Sequence, residues 1–396
     1  MAYINFKEEK AVLEEQLEKR KKNNEKLYID IVKQKVDLTG YVPDSTYSYN
    51  KIENELIGKK GLYDEDNFMN VESLDIICSK FIGCSFRNVK FKECRFIGCT
   101  FEECIFNGGG VVFENCRFVK EESEKLPALN KKDNLSCIFY KCEIYSKFLN
   151  CDNSYLIFEK CKIRNTSIEL TAMNNVIVMH SELSVIDIVD SDLSGFKTYE
   201  CYIEDIQFDD KYKTKFDEKT FFDKIEPRVK DKEEYEGIYM TYESLANKFK
   251  ENTLNNNFGE YYYLGKCTER KCLNIMPKIG SYLYWLLCGY GERPWFCVLS
   301  SLGIIFIFSI IYLITGMDLD GEIVRYTLSN INTWSIWKFF KDLNESINLS
   351  VGMFAGVGCN NSKPTELSYT VANMEMLVGV VMMGLGIGTL TRKVVR

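Results

Sequence analysis

Large apolar side chains recur every five residues through much of the first half of this chain. Ile76, Phe81, Phe86, Phe91, Phe96, Phe101 and Phe106 hold the period without a gap. Two positions ahead of each stands a smaller or aliphatic residue: Leu74, Ser79, Cys84, Val89, Cys94, Cys99 and Cys104. The phase slips at Gly108-Gly109-Gly110 and returns at Phe113 and Phe118, with Val111 and Cys116 as companions. A polar insertion over 121–134 interrupts it before Phe139 and Ile144. A second register then runs Phe158, Ile163, Ile168, Met173, Val178, Leu183, Ile188, Leu193, Ile203 and Phe208, with Thr198 its one polar slot. A period of five fits neither the 3.6 of a helix nor the 2 of a strand. It suits a chain that turns a corner every five residues, so that slot and companion point inward and like residues stack along an axis.

On these residues, 71–210 resembles the pentapeptide-repeat family. The resemblance implies a right-handed quadrilateral β-helix, here about seven coils and a rod on the order of 33 Å long at strand spacing. A solenoid of this kind is a stack of nearest-neighbour interfaces whose ends need caps. The charged helix expected within 1–70, with Leu13, Leu17 and Leu27 as its apolar points, is the expected cap; no heptad persists in it. Met1 to Lys35 is charged and has no apolar core of a signal peptide. The sixteen cysteines form no CxxC pair, and most fall one per repeat, where a small buried residue serves. Reduced thiols in a cytosolic setting are expected rather than a disulfide framework. The single histidine, His180, lies inside a repeat. No nucleophile–base pair, phosphate loop or metal cluster is visible, so the chain is not expected to be an enzyme, and no cofactor or metal is expected. A net charge of −7 gives no basic footprint for nucleic acid.

Residues 211–280 are read as a charged linker followed by a helical hairpin passing between the rod and a membrane. The charge density of 209–236 marks the boundary, and Tyr239, Tyr242, Leu245 and Phe249, then Phe258, Tyr262 and Tyr263, take up helical spacing around Asn255-Asn256-Asn257. The composition changes again after residue 280. Trp295 to Gly316 is twenty-two residues without a charge, about 33 Å at helical rise, enough to cross a bilayer core. A second run over 367–390 is broken only by Glu375. Lys266, Arg270, Lys271, Lys278 and Arg293 precede the first run and Arg392, Lys393 and Arg396 follow the second, while the loop between them begins with Asp318, Asp320 and Glu322. The positive-inside rule then predicts a multi-pass protein of the cell inner membrane with both termini cytosolic.

Between the two runs, 342–361 is read as a short helix and a turn, ending in Phe354-Ala355-Gly356-Val357-Gly358-Cys359. Irregular backbone at membrane depth is tolerated where it lines a cavity or is buried in protein. Two glycines flanking one residue let successive carbonyls point the same way, and a ring of carbonyls can replace an ion's hydration shell. The order span, short helix, Gly-x-Gly, span over 281–396 resembles two-transmembrane potassium-channel-like pore domains. The resemblance implies an all-α re-entrant pore domain, a homotetramer in the lipid bilayer, a selectivity filter at Phe354, Ala355, Gly356, Val357, Gly358 and Cys359, and a permeant monovalent cation, K+ or Na+. The family places a threonine two residues before the first filter glycine, where this chain has Phe354. It places an aspartate after the second, where this chain has Cys359, and an aromatic where this chain has Val357. Gly289-Tyr290-Gly291-Glu292 also looks like a filter, but it precedes the first span and is followed by Arg293-Pro294, so it reads as a turn at the cytosolic surface beside an interfacial helix with Tyr282, Tyr284 and Trp285.

Glu375 is the one acid at membrane depth, and such a carboxylate is a functional candidate by default. It is grouped with Gly379, Gly384 and Gly386 as pore-lining or gating. Coordinating ions, bracing the filter from behind and pairing with a neighbouring subunit all remain open for Glu375. Gly384 and Gly388 make a GxxxG suited to close helix approach, and the glycines could equally form a hinge. The whole reads as a multidomain protein: a tetrameric cation channel whose cytosolic β-helix offers a surface for an unknown ligand or protein. The alternative is a membrane-anchored β-helix scaffold with a non-conducting pore domain. A gyrase-protecting DNA mimic, known among soluble pentapeptide-repeat proteins, is disfavoured by the two spans.

Overall fold

The computed structural model describes residues 4–34, 41–61, 65–106, 110–118, 136–327, 335–359 and 361–394. The chain divides into two compact units, one up to Cys272 and one from Leu273 onward.

In the first unit the period of five has a backbone cause. Ser73, Cys78, Gly83, Asn88, Glu93, Gly98 and Glu103 all take a left-handed conformation, with φ between 44° and 64°. Short strands such as Lys80–Ile82, Ser85–Arg87, Arg95–Ile97 and Thr100–Glu102 lie between these corners. Each corner turns the backbone and swings its N–H along the axis. Cys78 N–H donates to Ile97 O at 2.7 Å, Gly83 to Glu102 O at 2.8 Å and Glu103 to Tyr140 O at 2.9 Å. A left-handed residue other than glycine costs about 1–2 kcal/mol, which these hydrogen bonds and the stacking beneath them offset. At Gly83 a side chain would also collide, since a Cβ would lie 2.5 Å from Asn54 Oδ1.

All pairing between coils is parallel, and the register puts slot on slot. One face aligns Ile52, Phe81, Phe101, Phe139, Phe158, Val178 and Thr198 in a seven-stranded sheet. A second aligns Ile57, Phe86, Phe106, Ile144, Ile163, Leu183 and Ile203. A third aligns Val71, Phe91, Phe113, Phe148, Ile168, Ile188 and Phe208, and the fourth aligns Ile76 with Phe96. Within a face the phenylalanine rings stack nearly parallel: 5.0 Å for Phe81–Phe101, 4.6 Å for Phe101–Phe139 and 4.3 Å for Phe86–Phe106. Across a corner they meet edge to face, as Phe91–Phe96 do at 5.5 Å. Both are favoured aromatic geometries.

The companion slot is occupied by groups that do more than fill space. Ten cysteine thiols there each reach a main-chain carbonyl of the preceding coil, for example Cys99 to Ile76 O at 3.2 Å, Cys116 to Phe91 O at 3.3 Å and Cys161 to Phe139 O at 3.2 Å. In later coils hydroxyls take over, with Thr166 on Ile144 O and Ser191 on Ile168 O. None of the sixteen cysteines is in a disulfide. Thr198, the polar slot, is fully buried and its hydroxyl accepts from Asp223 N–H at 3.0 Å. His180 stands at a corner, its Nδ1 3.1 Å from Glu200.

The solenoid is longer than 71–210. It starts by Pro43, which pairs with Asp75, and its last coil includes Lys215 and Phe221, which pair with Asp192 and Lys197. These ends were hidden because the charged 209–236 segment and the fourteen-residue gap from Ile57 to Val71 break the period while the coil continues. The slip at 107–109 and the insertion at 119–135 lie outside the described residues. Helix α1 (Phe6–Gln34) is not an end cap. It lies along one flank, with Leu13 and Leu17 buried against Ile157, Ile177, Met179 and Tyr199, and with Asn24 hydrogen-bonded to both main-chain groups of Ser136. The side chain of Leu27 lies outside the described residues. The end is closed instead by the hairpin of α2 (Lys232–Glu251) and α3 (Asn255–Cys272), which belongs to the solenoid unit. Phe249 and Tyr261 stack at 4.8 Å under the last coil. The Tyr261 hydroxyl both donates to Phe222 O and accepts from Phe222 N–H, each at 2.8 Å, and Tyr242 Oη accepts from Ile225 N–H. Main-chain groups that would otherwise lose water without a partner are thereby satisfied.

The second unit is helical. α4 (Ile275–Cys288) leads through a turn to α5 (Pro294–Thr315); α6 (Ile336–Phe354) and α7 (Tyr369–Val394) follow. The two apolar helices are long and apolar enough to cross a membrane, and few of their residues are buried within this chain. They lie close to the expected 295–316 and 367–390. α6 begins six residues before the expected 342, at Ile336. A three-stranded antiparallel sheet, unread in the sequence, joins Met317–Leu319 to Glu322–Val324 and Ser362–Pro364. Its Asp320-Gly321 turn, with both φ positive, was the available signal.

Replacing Phe101 by alanine removes a ring stacked on both sides and is expected to destabilise the solenoid by about 3–5 kcal/mol, measured by denaturant unfolding. Burial pushes Cys78 and Cys201 up to about 12, against about 8.5 for an exposed thiol. Both therefore stay protonated in the folded chain while the unfolded chain ionises. Stability contributed by these thiols is complete below about pH 8.5 and is lost as pH rises towards the folded value. Alkylation of the solenoid thiols in native buffer should stay slow from neutral pH to about pH 9 and become fast on adding denaturant.

Candidate functional site

The segment 354–359 follows directly from the C-terminus of α6. Gly356 and Gly358 both take left-handed backbone, with φ of 70° and 74°. The chain reverses against the last turn of its own helix: Val357 N–H and Gly358 N–H both donate to Gly352 O at 3.0 Å, and Gly356 N–H donates to Met353 O. Gly352 is required for this, because a Cβ there would lie 2.2 Å from Gly358 O. Ala355 follows the helix as its cap residue, with its N–H on Val351 O at 3.0 Å. Val357 projects outward and is 82% exposed. Phe354 packs inward against the cluster of Cys288, Cys297 and Met382. Cys359 Sγ accepts from Ser362 Oγ at 3.3 Å, and Ser362 is paired beside Leu319 in the small sheet. Both ends of the Gly-Val-Gly turn are therefore anchored while the turn itself stays open.

The helices behind the turn are tied by polar contacts. Ser346 and Ser350, one turn apart on α6, reach across to α5, donating to Ser309 O at 2.5 Å and bonding Ile305 O at 2.9 Å. Glu375 of α7 is fully buried between α5 and α6. Its carboxyl is hydrogen-bonded to Tyr312 Oη at 2.7 Å and to Ser350 Oγ. It faces Tyr312 of α5 and Ser350 of α6 in the same chain rather than open space. Serines and a tyrosine inside apolar-looking helices carry no periodic signature, which is why Tyr312, Ser346 and Ser350 were not singled out. The i, i+4 spacing of the two serines on α6 was the signal available.

The glycines of α7 separate into two groups. Gly379 lies against the end of α6, where a Cβ would fall 2.0 Å from Phe354 O. Gly384, Gly386 and Gly388 have open space where a Cβ would stand. The GxxxG face is thus unused within one chain. The Gly289-Tyr290-Gly291 turn has three consecutive left-handed residues, with φ of 53°, 56° and 78°. It holds Tyr290 Oη 2.7 Å from Ser281 Oγ and leads into Glu292, fully buried, whose carboxylate pairs with Arg392 at 3.0 Å. Arg392 in the last turn of α7 also suits the negative end of that helix dipole. Among the described residues no group of acidic, cysteine or histidine side chains is arranged to hold a metal ion.

A family model for pentapeptide repeats (9 copies) matches residues 81–121. The chain therefore carries a pentapeptide-repeat domain, followed by a helical region with two apolar helices. No curated protein matches the chain. Similar solved structures include a trypsin-treated variant of QnrB1, a plasmid-mediated fluoroquinolone resistance protein: 15% identity over 40% of this chain and 74% of that one, TM-score 0.15. HetL, a pentapeptide repeat protein involved in heterocyst differentiation regulation from the cyanobacterium Nostoc sp. strain PCC 7120, is 7% identical over 40% of this chain and 67% of its own, TM-score 0.15. The architecture of the solenoid rests on its own register and hydrogen bonds.

The two groups of glycines differ in what an alanine would meet. Gly379→Ala should lower the melting temperature of the purified protein by several degrees, equivalent to about 1–3 kcal/mol of overpacking. Gly384→Ala, with no neighbour within the chain, should leave its folding unchanged when both are followed by thermal unfolding in detergent.

Proposed function

We propose that this chain is the subunit of a tetrameric cation channel, with α5 and α7 crossing the membrane, α6 as a pore helix, 354–359 as the ion-contacting segment and the pentapeptide-repeat domain on the cytosolic side. The observation that carries the reading is the Gly356-Val357-Gly358 turn. It stands at the end of a helix too polar to span, between two helices that can span, with left-handed glycines on either side of an exposed valine. Four such turns about an axis would present main-chain carbonyls to a dehydrated ion. The unused Gly384–Gly388 face and the exposed apolar surface of α5 and α7 supply the lipid and subunit contacts that a tetramer needs. The basic residues before α5 and at the end of α7 support cytosolic termini in an inner membrane.

The permeant ion is a monovalent cation, K+ or Na+. Phe354 supplies no side-chain oxygen where channel-like pores carry threonine, and Cys359 supplies no charge where they carry aspartate. Both departures favour weak discrimination between the two ions. Gating by a ligand or protein bound to the solenoid is part of this proposal, because only Leu273 and Asn274 separate α3 from α4 in the chain.

Single-channel recording of the purified protein in planar bilayers under a potassium/sodium gradient tests the reading. Unitary steps are expected, with a reversal potential close to zero when the two cations are set against each other. Gly356→Ala should abolish the steps, because alanine is strained at φ 70°. Silence from tetramers of verified size would replace the channel with the alternative, a membrane-anchored scaffold.

A further inference from the structure

The oxygens around Glu375 can be counted proton by proton. Three contacts meet there: Tyr312 Oη to Glu375 Oε2 at 2.7 Å, Ser350 Oγ to Glu375 Oε1, and Ser350 Oγ to the Ile305 carbonyl at 2.9 Å. Each needs one proton between its two oxygens, since facing lone pairs at such separations repel. Tyr312 brings one proton and Ser350 brings one. The Ile305 carbonyl brings none, so the third must come from the carboxyl group.

The surroundings lead to the same assignment. Glu375, Tyr312 and Ser350 are all fully buried. The groups facing the carboxyl are the Tyr312 phenol from α5 and the Ser350 hydroxyl from α6, both uncharged, and no charged side chain among the described residues acts on it. On α7 itself residues 370–391 carry no other ionisable side chain. An ionised carboxylate here would be a buried charge without a counter-charge, which is strongly unfavourable.

We propose that Glu375 is a neutral carboxylic acid that donates its proton to Ser350 and serves as the positioning residue for the 354–359 segment. The chain of donors runs from Glu375 to Ser350 to the Ile305 carbonyl, with Tyr312 donating to the other carboxyl oxygen. It links all three helices one turn from the segment: Ser350 precedes Phe354 by one turn of α6, and Gly379 follows Glu375 by one turn of α7 and receives the Phe354 carbonyl against its bare Cα. Loss of the proton leaves Ser350 with one hydrogen for two acceptors, so either the α5 or the α7 contact opens. The neutral form is the structural one. Its effect on permeation rests on the channel reading; the proton assignment does not.

The test uses the full-length protein in lipid nanodiscs, comparing infrared spectra of wild type and Glu375→Gln at neutral pH. Glutamine has an N–H donor for Ser350 and an oxygen for Tyr312, so it reproduces the neutral acid. The expected result is one protonated-carboxyl C=O band per chain in wild type that is missing from Glu375→Gln and is shifted by Ser350→Ala. Glu375→Gln should keep the wild-type melting temperature at neutral pH, while Glu375→Ala should melt several degrees lower. The proposal is overturned if the difference spectrum shows only a carboxylate, or if Glu375→Gln melts as low as Glu375→Ala. A silent bilayer together with the protonated band supports this assignment and counts against the channel alone.

Discussion

The solenoid depends on a backbone constraint before it depends on any side chain. One left-handed residue in every five turns the strand, and that turn sets the distance between inward-facing positions. Once corners recur at this spacing, the slot residues of successive coils must fall on top of one another. Parallel pairing then converts a one-dimensional period into stacks of rings at 4.3–5.2 Å. The corners are costly for Glu93, Glu103 or Lys141. They persist because their N–H groups are carried to carbonyls of the next coil, Glu114, Tyr140 and Glu159 respectively, and opening one corner would also shift the rings above and below it.

The same demand, that no buried polar group lose its partner, decides how the solenoid is filled and closed. Cysteine in the companion position is small enough for the crowded interior and still donates to the carbonyl of the coil before it. Threonine and serine do the same in later coils, where phenylalanine gives way to aliphatic residues. At the closing end, two tyrosine hydroxyls from α2 and α3 occupy main-chain groups of the last coil. In the helical unit the requirement recurs. Ser346, Ser350 and Tyr312 join α5, α6 and α7 with hydroxyl contacts, and Glu375 completes the set. Apolar packing alone would hold these helices near one another, whereas the hydroxyl contacts specify which turn of α6 faces which turn of α5 and α7. That choice places the Gly356-Val357-Gly358 turn.

Much of this was legible in the chain. The run of phenylalanines from 81 to 106 has no interpretation in a helix or a strand, and the two apolar runs with a short polar helix between them already order the second unit. The extent of the solenoid was not legible, because Ile52, Ile57 and Phe221 are separated from the main run by charged stretches that disturb the count without ending the coil. The place of α1 was not legible either. Leu13 and Leu17 announce that one face is covered, and say nothing of whether the cover is an end or a flank. For the candidate site, the Gly-Val-Gly turn stood out by spacing, and Glu375 by being alone among apolar residues. Its partners did not, since a serine and a tyrosine in an apolar helix look like ordinary variation.

Sequence alone determined the elements that follow from local geometry: corners every five residues, stacked inward slots, two helices long enough to cross a bilayer, and a turn that only glycine tolerates easily. These depend on neighbours in the chain, whose distances are set by covalent bonds. Tertiary structure decided which ends are capped, and by which helices. It also turned Glu375 inward to Tyr312 and Ser350 and divided the glycines of α7 into one that is crowded and three that are open. Those outcomes depend on residues 25 to 63 positions apart, whose meeting is settled by packing and by the need to satisfy every buried polar atom.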